Sequence, residues 1–248
     1  MKFPSFLPLL ATLMFLGACK REGGDSSSSS TRSGSRSSNP SVSPSKRAHA
    51  HNDYIEGKWR LGAPGTDAER AFEQADTAQD KILVLEKLQA SDPGSLPSVL
   101  RRALRSPDES LRIQAVMKTS SLQSSPAEVV DILTAAAWDE SSEVRAHALN
   151  MTHEQVEEAK LEIFSATLTS TNPDVRDTAL AELGRLRSKP ALEALFHGLA
   201  NGDPEFVAKV NQQLVNLINS QFGSYEEADE WWKVNSEKFD ERLIRSVD

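Results

Sequence analysis

The sequence predicts an all-α fold, an α-solenoid of about four to five helix pairs that follows an N-terminal tether. The first observation is a repeated phrase: residues 142–149 read SEVRAHAL and residues 173–180 read PDVRDTAL, at an offset of 31 residues. The second is an apolar residue that recurs every 31 to 33 residues, at Leu111, Val144, Val175 and Phe206. A helix pair of about 30 residues cannot bury its own apolar faces, so neighbouring pairs have to stack.

The start of each first helix has the chemistry of an N-cap. Three residues before each recurring apolar residue stands a side chain that can accept a bond from a free backbone amide. These residues are Asp108, Ser141, Asn172 and Asp203. Pro173 and Pro204 follow two of the caps, at the first helical position, where proline costs no hydrogen bond. Four caps in register with four apolar stripes indicate one repeated unit.

The second helix of each pair is predicted between these starts, at residues 96–104, 126–138, 153–168 and 190–199. Their apolar residues recur at helical spacing, as Val129, Ile132 and Leu133 do. Residues 81–88, KILVLEKL, are predicted to lie in the first helix of a degenerate leading repeat. The predicted domains are a signal peptide at 1–18, a tether at 19–64 and the solenoid with its capping helices at 65–248.

The repeated phrase, an acid followed by Val, Arg, two variable residues, Ala and Leu, resembles the first-helix signature of the HEAT-repeat family, including its bacterial HEAT-like and bilin-lyase-type members. Residues 142–149 and 173–180 match well, 110–116 match with substitutions, and 205–211 lack the arginine. The resemblance covers residues 80 to 218. It implies that the Val, Ala and Leu positions lie between layers. It also implies that Arg112, Arg145 and Arg176 each pair with an acid or carbonyl of the next repeat.

In the last copy of the repeated phrase, Val207 occupies the position of the arginine. This predicts that the series of arginines ends before the last copy. The alternative role for the three arginines is ligand binding. Regularly spaced charges in a repeat protein usually support the stack, and this favours the structural role.

The C-terminal region differs from the repeats, as expected for a segment that covers the open end of a stack. Its apolar residues lie among charged ones: Tyr225, Trp231, Trp232, Phe239 and Leu243. Because two adjacent tryptophans cannot both face inward on one helix, one of them is expected to be partly exposed. The interpretation is a hydrophobic cap. The alternative is a partner-binding site anchored by tryptophan, which is favoured at interfaces.

The N-terminus has the organisation of a secretory signal. Lys2 precedes an apolar run at residues 6–16 that is too short to cross a bilayer. Residues 16–19, Leu-Gly-Ala-Cys, resemble a bacterial lipobox, which implies cleavage before Cys19 and attachment of lipid, with acyl groups such as palmitate, at this residue. Cys19 is the only cysteine, whereas an exported protein that uses cysteine structurally usually has an even number. The alternative is an incidental cysteine near an ordinary cleavage site.

Two or three acyl chains make a stable anchor, so the sequence predicts a lipid-anchored lipoprotein of the bacterial cell envelope. The residue after the modified cysteine is Lys20 rather than Asp. In diderm bacteria of the enterobacterial type, this resembles a sorting signal for the outer membrane. Residues 26–45 contain twelve serines. Such a stretch has little to bury, which is typical of a flexible leash.

The tether and the rest of the chain differ in the sign of their net charge. Residues 19–50 hold six basic and two acidic residues, and residues 51–248 hold 21 basic and 34 acidic residues. An acidic body does not suit a phosphate backbone, so no nucleic acid is expected as a partner. The expected partners are an envelope protein or peptide and the membrane itself, through Cys19.

The sequence contains no GxSxG, Walker, GxGxxG or HExxH motif. His49, His51 and Asp53 alternate and could share one strand face as a metal site, but no strand pattern surrounds them and the ligand set is incomplete. His147 is interpreted as an interlayer contact and His153 as a helix-start residue. His197, on a second helix, is the candidate for partner binding. The prediction is a protein without catalytic residues, cofactor or metal.

The leading hypothesis is therefore a membrane-anchored protein-interaction scaffold. The first alternative is a lyase- or hydrolase-type enzyme on a HEAT-like fold, since this fold does not exclude catalysis. The second is a structural spacer of the envelope, in which the length of the serine leash sets the distance.

Overall fold

The structure is a computed structural model that describes residues 59, 61–122, 126–201 and 203–245, all within one compact unit. These residues form eleven α-helices, and the predicted all-α class is confirmed. The helices are α1 (Asp67–Gln74), α2 (Ala78–Ser91), α3 (Leu96–Ala103), α4 (Glu109–Met117), α5 (Pro126–Ala137), α6 (Ser142–His153), α7 (Glu157–Thr167), α8 (Pro173–Leu186), α9 (Lys189–His197), α10 (Pro204–Ile218) and α11 (Tyr225–Asn235).

Four predictions concern residues outside the described ranges. They are the signal peptide, the lipid-attachment residue Cys19 with the neighbouring Lys20, the serine-rich stretch at 26–45, and the alternating His49, His51 and Asp53.

Four helices begin where the repeated caps predict. Helices α4, α6, α8 and α10 each start directly after the predicted cap residue, whose side chain accepts backbone N–H groups of the first turn. Pro173 and Pro204 are the first residues of α8 and α10. The four recurring apolar residues are all buried. These predictions of helix starts and buried positions are confirmed.

The predicted second helices correspond to α3, α5, α7 and α9. The predicted start of one of them was wrong. His153, expected at the beginning of a second helix, is the last residue of α6, and α7 begins at Glu157. Residues 150–153 contain no glycine or proline to end α6 earlier. The hydroxyl of Thr152 donates to the carbonyl of Ala148 at 2.8 Å, within the last turns of α6.

Each helix packs mainly on the next helix along the chain or the next but one. The even-numbered helices pack as α2 on α4 and α4 on α6, and again as α8 on α10. The odd-numbered helices pack in an unbroken series from α1 to α11. Among the described residues, α6 and α8 are not one of these closely packed pairs.

The hydrophobic core is divided at the same place. One cluster of buried residues includes Trp59 and extends to Ile163, and the other begins at Phe164 and extends to Leu243. Ile163 and Phe164 are neighbours on α7, so this helix contributes to both clusters. Helix α7 is therefore the element on which the two halves of the core meet.

The folded part includes residues that the predicted boundary at 65 leaves out. Trp59 is 5% exposed, and its Nε1 donates to Asp131 of α5 at 2.6 Å. The guanidinium of Arg101 lies 5.6 Å from the Trp59 ring centre and pairs with Asp131 at 3.0 Å. Leu61 also packs against the core. Trp59 is thus held by the hydrogen bond from its Nε1 to Asp131, by a cation–π contact with Arg101, and by a hydrogen bond that its carbonyl accepts from Arg105.

The C-terminal end is an aromatic cluster. Trp232 is buried, whereas Trp231 is only partly buried, as expected for adjacent tryptophans on one helix. The Trp231 ring lies 5.5 Å from Phe222 and 6.2 Å from Phe239. Leu243 is buried with them. This segment covers the apolar side of α9, which packs on α11.

Candidate functional site

The three repeat arginines connect the start of each first helix to the start of the next one. Arg112, on α4, is 5% exposed and faces Asp139, which is fully buried just before α6. Its Nε and Nη2 donate to the two carboxylate oxygens of Asp139 at 2.8 and 3.0 Å. This is a bidentate, buried pair, the arrangement in which an arginine–carboxylate contact is strongest.

Arg176 on α8 forms a similar contact one junction later. Its Nη2 lies 3.0 Å from the Oδ2 of Asp203, the cap residue of α10, and its guanidinium lies 5.0 Å from the ring centre of Phe206. Its Nη1 donates to the carbonyl of Ser170 in the loop before its own helix. The arginine thus holds its own loop and the next helix together.

Arg145 on α6 has the longest of the three ion pairs. Its Nη2 is 3.7 Å from the Oδ2 of Asp174, whose side chain is 65% exposed. Its Nη1 donates to the carbonyls of Asp139 and Glu140, each at 2.9 Å. Arg145 therefore bonds to the loop before its own helix, as Arg112 and Arg176 do. Its contact to the acid of the next helix is longer than theirs.

A second periodic feature lies in the loops and was missed in the sequence. Two residues before each cap, a polar side chain accepts the backbone N–H of the cap residue at 2.8 to 3.2 Å. These acceptors are Ser106, Asp139, Ser170 and Asn201. The signal was present as a polar residue at a constant offset from each cap. The four loops thereby enter their helices in the same way.

A cavity of about 250 Å³ lies between α6 and α8, with α7 as its floor. Its apolar lining includes Leu149, Ile163, Phe164, Val175 and Ala179. The exposed residues Ser142, Ala146 and Asp174 also line it, so it opens to the surface. We refer to it as the α6–α8 cavity. It lies where α6 and α8 are not closely packed and where the core divides.

Three threonines line the α6–α8 cavity, and each hydroxyl is already bonded. Thr152, Thr167 and Thr178 donate to the carbonyls four residues earlier, at 2.8, 2.9 and 2.8 Å. Hydroxyls that bond to their own helix do not need a partner from a ligand. The chemistry of the cavity is therefore mainly apolar, with charged Arg145 and Asp174 in its lining.

His153, the last residue of α6, is paired with a residue of α8. Its Nε2 lies 3.1 Å from Glu182, whose side chain is 10% exposed and also meets Arg185. This contact, like the pair between Arg145 and Asp174, joins α6 to α8 through polar groups. His147 is half-buried on α6.

The residues predicted for partner binding lie around α9 and α11. His197 is exposed, and its ring stacks on Tyr225 at 4.7 Å with an interplanar angle of 18°. Trp231 and Trp232 stack on each other at 6.3 Å. Trp232 donates from Nε1 to Glu193 of α9 at 2.9 Å. Trp232 is thus occupied in joining α11 to α9, while Trp231 and His197 keep accessible surface.

At the N-terminal end, Glu69 of α1 is a strongly held carboxylate. Burial alone would raise its pKa, but the amides of Gly65 and Thr66, the Ser98 hydroxyl and the Arg102 charge together lower the pKa to about 2. The Gly65 amide donates to it at 2.6 Å. Glu69 therefore stays ionised at neutral pH, and its carboxylate accepts the amides at the start of α1.

The described ranges contain no group of three or more His, Cys, Asp or Glu side chains placed to hold a metal ion. Within the same ranges, none of the helices combines the length and apolar character needed to cross a bilayer. Comparison with protein-family models, with curated proteins and with solved structures finds no match to this chain.

Proposed function

We propose that this chain is a lipid-anchored HEAT-type lipoprotein that acts as a protein-interaction scaffold at the bacterial cell envelope. The observation that carries the proposal is the local packing of the helices, each on its neighbour or next neighbour, with four first helices that begin in the same way. Stacked helical pairs of this kind present long, continuous surfaces for other polypeptides.

The arginine contacts support the same interpretation. Arg112 and Arg176 each connect one first helix to the start of the next at 3.0 Å or less. Their guanidinium groups are nearly enclosed and bonded to loops and acids of the stack, which suits a structural role rather than ligand binding. The residues left for a partner are those on the outer faces.

One of the second helices, α7, offers an acidic exposed face. Helix α7 alone exposes Glu157, Glu158 and Glu162. A partner that docks here would carry basic residues, since complementary charge guides association and selects the partner. The lipobox-like residues 16–19 support a location at a membrane surface, with the serine-rich stretch between the anchor and the helices.

One experiment tests the anchor. Cells that express the full-length chain are labelled with radioactive palmitate, and the chain is recovered by immunoprecipitation. The label is expected on the wild type and is expected to be lost in C19A. Equal labelling of both chains, or no labelling of the wild type, would contradict lipid attachment at Cys19.

A second experiment tests the scaffold. Chemical crosslinking in cells is followed by purification from membranes, with wild type compared with the charge-reversed variant E158K/E162K on α7. The control is E109K/E143K, which reverses two exposed acids at the starts of α4 and α6. A stoichiometric protein lost only in E158K/E162K is the expected result. No captured protein, or equal loss in both variants, would contradict binding at the second helices.

A further inference from the structure

A second cavity, which we refer to as the C-terminal cleft, has a volume of about 710 Å³. Three segments form it: the start of α7, the turn between α8 and α9, and the chain that follows α11. It shares no lining residue with the α6–α8 cavity. Sites for small ligands usually have volumes of about 300–1,000 Å³ and combine apolar side chains with a few polar groups. The C-terminal cleft therefore has the size of a small-ligand site.

The chain after α11 forms one wall of the cleft as a tight turn. The amide of Asp240 donates to the carbonyl of Ile244 at 3.0 Å, and the Asp240 carboxylate accepts the amides of Arg242 and Ile244 at 2.9 and 2.8 Å. Phe239 and Leu243 are buried and anchor the turn in the C-terminal core. Arg242 and Ile244 are exposed and line the cleft. This wall is therefore preformed.

Arg187, in the turn after α8, has a backbone conformation that favours glycine. It follows α8 directly and is left-handed, with a φ of 47°. Glycine is the usual residue at such a position, because it has no Cβ to clash. Leu243, between the lining residues Arg242 and Ile244, is also left-handed, with a φ of 61°. Non-glycine residues in this conformation cluster at ligand sites, where the side chain has a role that outweighs the strain.

Six charged side chains line the cleft, three arginines and three glutamates. Two of them have partners: Arg185 bonds to Glu182 on its own helix, and Glu241 lies 3.8 Å from Lys189. The other four are exposed. They are Glu157, Glu158, Arg187 and Arg242. None of these four side chains forms an ion pair or a hydrogen bond with another residue in the described part of the chain.

The four unpaired charges are divided between the walls of the cleft. Both glutamates belong to the first turn of α7, whereas Arg187 follows α8 and Arg242 lies on the C-terminal turn. Leu161 and Leu186 add half-buried apolar surface. A purely anionic ligand would meet the glutamates and a purely cationic one the arginines, and like charges in contact are unfavourable. A ligand that suits every group has an amine at one end, a carboxylate at the other and apolar side chains between them.

We propose that the C-terminal cleft binds a short peptide with free ends, whose carboxylate is held by Arg187 and Arg242 and whose amine is held by Glu157 and Glu158. Arginine suits the carboxylate because its guanidinium can donate two parallel hydrogen bonds. The proposal goes beyond the scaffold function and does not rest on it, because it concerns a small ligand of the purified chain.

The first test measures which ends of the peptide are recognised. Ala-Leu-Leu-Ala with free ends, and its N-acetylated and C-amidated forms, are titrated into the full-length chain in detergent by calorimetry. The free peptide is expected to bind, and each blocked form to bind about tenfold more weakly, because one charged contact is lost. No binding of the free peptide, or equal binding of all three forms, would overturn the proposal. Weaker binding of the amidated form alone would overturn the role of the glutamates.

The second test assigns the carboxylate to its arginines. R187Q/R242Q should weaken binding of the free peptide about tenfold and leave binding of the amidated form unchanged, since that form already lacks the contact. The matched control is R70Q/R245Q, because Arg70 and Arg245 are also exposed but do not line the cleft. The control should bind all three forms as the wild type does. Equal losses in the two double variants would overturn the assignment.

The third test assigns the amine. E157Q should weaken binding of the free peptide and leave binding of the acetylated form unchanged, and E162Q is the control, because Glu162 is exposed on the same helix but does not line the cleft. Equal losses in both variants would overturn the role of Glu157. Glu158 is left unchanged because it is altered in the scaffold test. Failure of these titrations therefore leaves the scaffold standing, and failure of the crosslinking leaves the peptide site standing.

R187G tests whether the Arg187 side chain has a role that outweighs its strained backbone. Glycine relieves the left-handed conformation, so R187G is expected to unfold at a higher temperature than the wild type, which also shows that it is folded. It is nevertheless expected to bind the free peptide about fivefold more weakly. Binding by R187G as tight as that of the wild type would overturn the role of Arg187.

Discussion

The junction between α4 and α6 and the junction between α6 and α8 begin from nearly the same sequence phrase and differ in structure. At the first, Arg112 forms a bidentate pair with fully buried Asp139, and the two helices pack closely. At the second, Arg145 lies 3.7 Å from exposed Asp174, and a cavity remains. The repeated phrase on a first helix therefore does not by itself determine how the next helix packs.

The position of the acid explains much of this difference. Asp139 stands two residues before the cap of the next first helix, inside the loop, where it also accepts the amide of Ser141 at 2.8 Å. Asp174 stands two residues after the cap Asn172, on the surface of α8. At the second junction, the position equivalent to Asp139 is occupied by the neutral residue Ser170. The sequence feature that distinguishes the junctions thus lies outside the repeated phrase.

The largest effect is expected from breaking the buried pair. R112M leaves the Asp139 carboxylate buried without its cation, which should lower the free energy of unfolding by about 3–5 kcal/mol. R145M removes two hydrogen bonds to loop carbonyls and a long contact to an exposed carboxylate, and should cost only about 1–2 kcal/mol. Urea unfolding of both variants checks the difference. Equal losses would show that the two junctions are energetically alike.

A smaller effect is expected at the N-terminal end, where Arg102 of α3 lies 3.5 Å from Glu69 and 3.1 Å from Glu73 of α1. E69Q should lower stability at neutral pH by about 1–2 kcal/mol, because the carboxylate accepts the amides of the α1 start. The pKa of Glu69 is lowered in the folded state from 4.5 to about 2. Its stabilising contribution is therefore present above pH 4.5 and lost as the pH falls from 4.5 towards 2.

Unfolding measured by circular dichroism between pH 2 and pH 7 checks this. The wild type should lose stability more steeply than E69Q below pH 4.5. E227Q is the matched control: Glu227 accepts the amide of Gly223 at the start of α11 in the same way but is exposed, so its loss should cost less. Parallel curves for wild type and E69Q would contradict the assignment.

The smallest effect is expected from converting the second junction towards the first. S170D places a carboxylate two residues before the cap of α8, at the position that Asp139 has before the cap of α6. A double-mutant cycle between S170D and R145M should show a favourable coupling of about 0.5–1 kcal/mol at neutral pH. No coupling would mean that the acid position does not explain the difference between the junctions.

The local features were predictable because they depend on neighbouring residues. The caps of α4, α6, α8 and α10 follow from one polar side chain three residues before an apolar one, and the partial exposure of Trp231 follows from helical geometry. The misplaced start at His153 arose because no glycine or proline marks the end of α6. The α6–α8 cavity could not be predicted, since it depends on the distance between α6 and α8 where both pack on α7. Trp59 was left in the tether because its partners, Arg101 and Asp131, are more than 40 residues away.

Amide hydrogen exchange can show whether each helix pair is held by its neighbours and whether the core is divided at α7. F196A truncates the C-terminal cluster and L133A the N-terminal one, and each should cost about 2–5 kcal/mol. In F196A, protection should be lost in α8 to α11 and retained in α2 to α5. L133A should show the reverse pattern. Uniform loss of protection across all helices in both variants would contradict a core divided at α7.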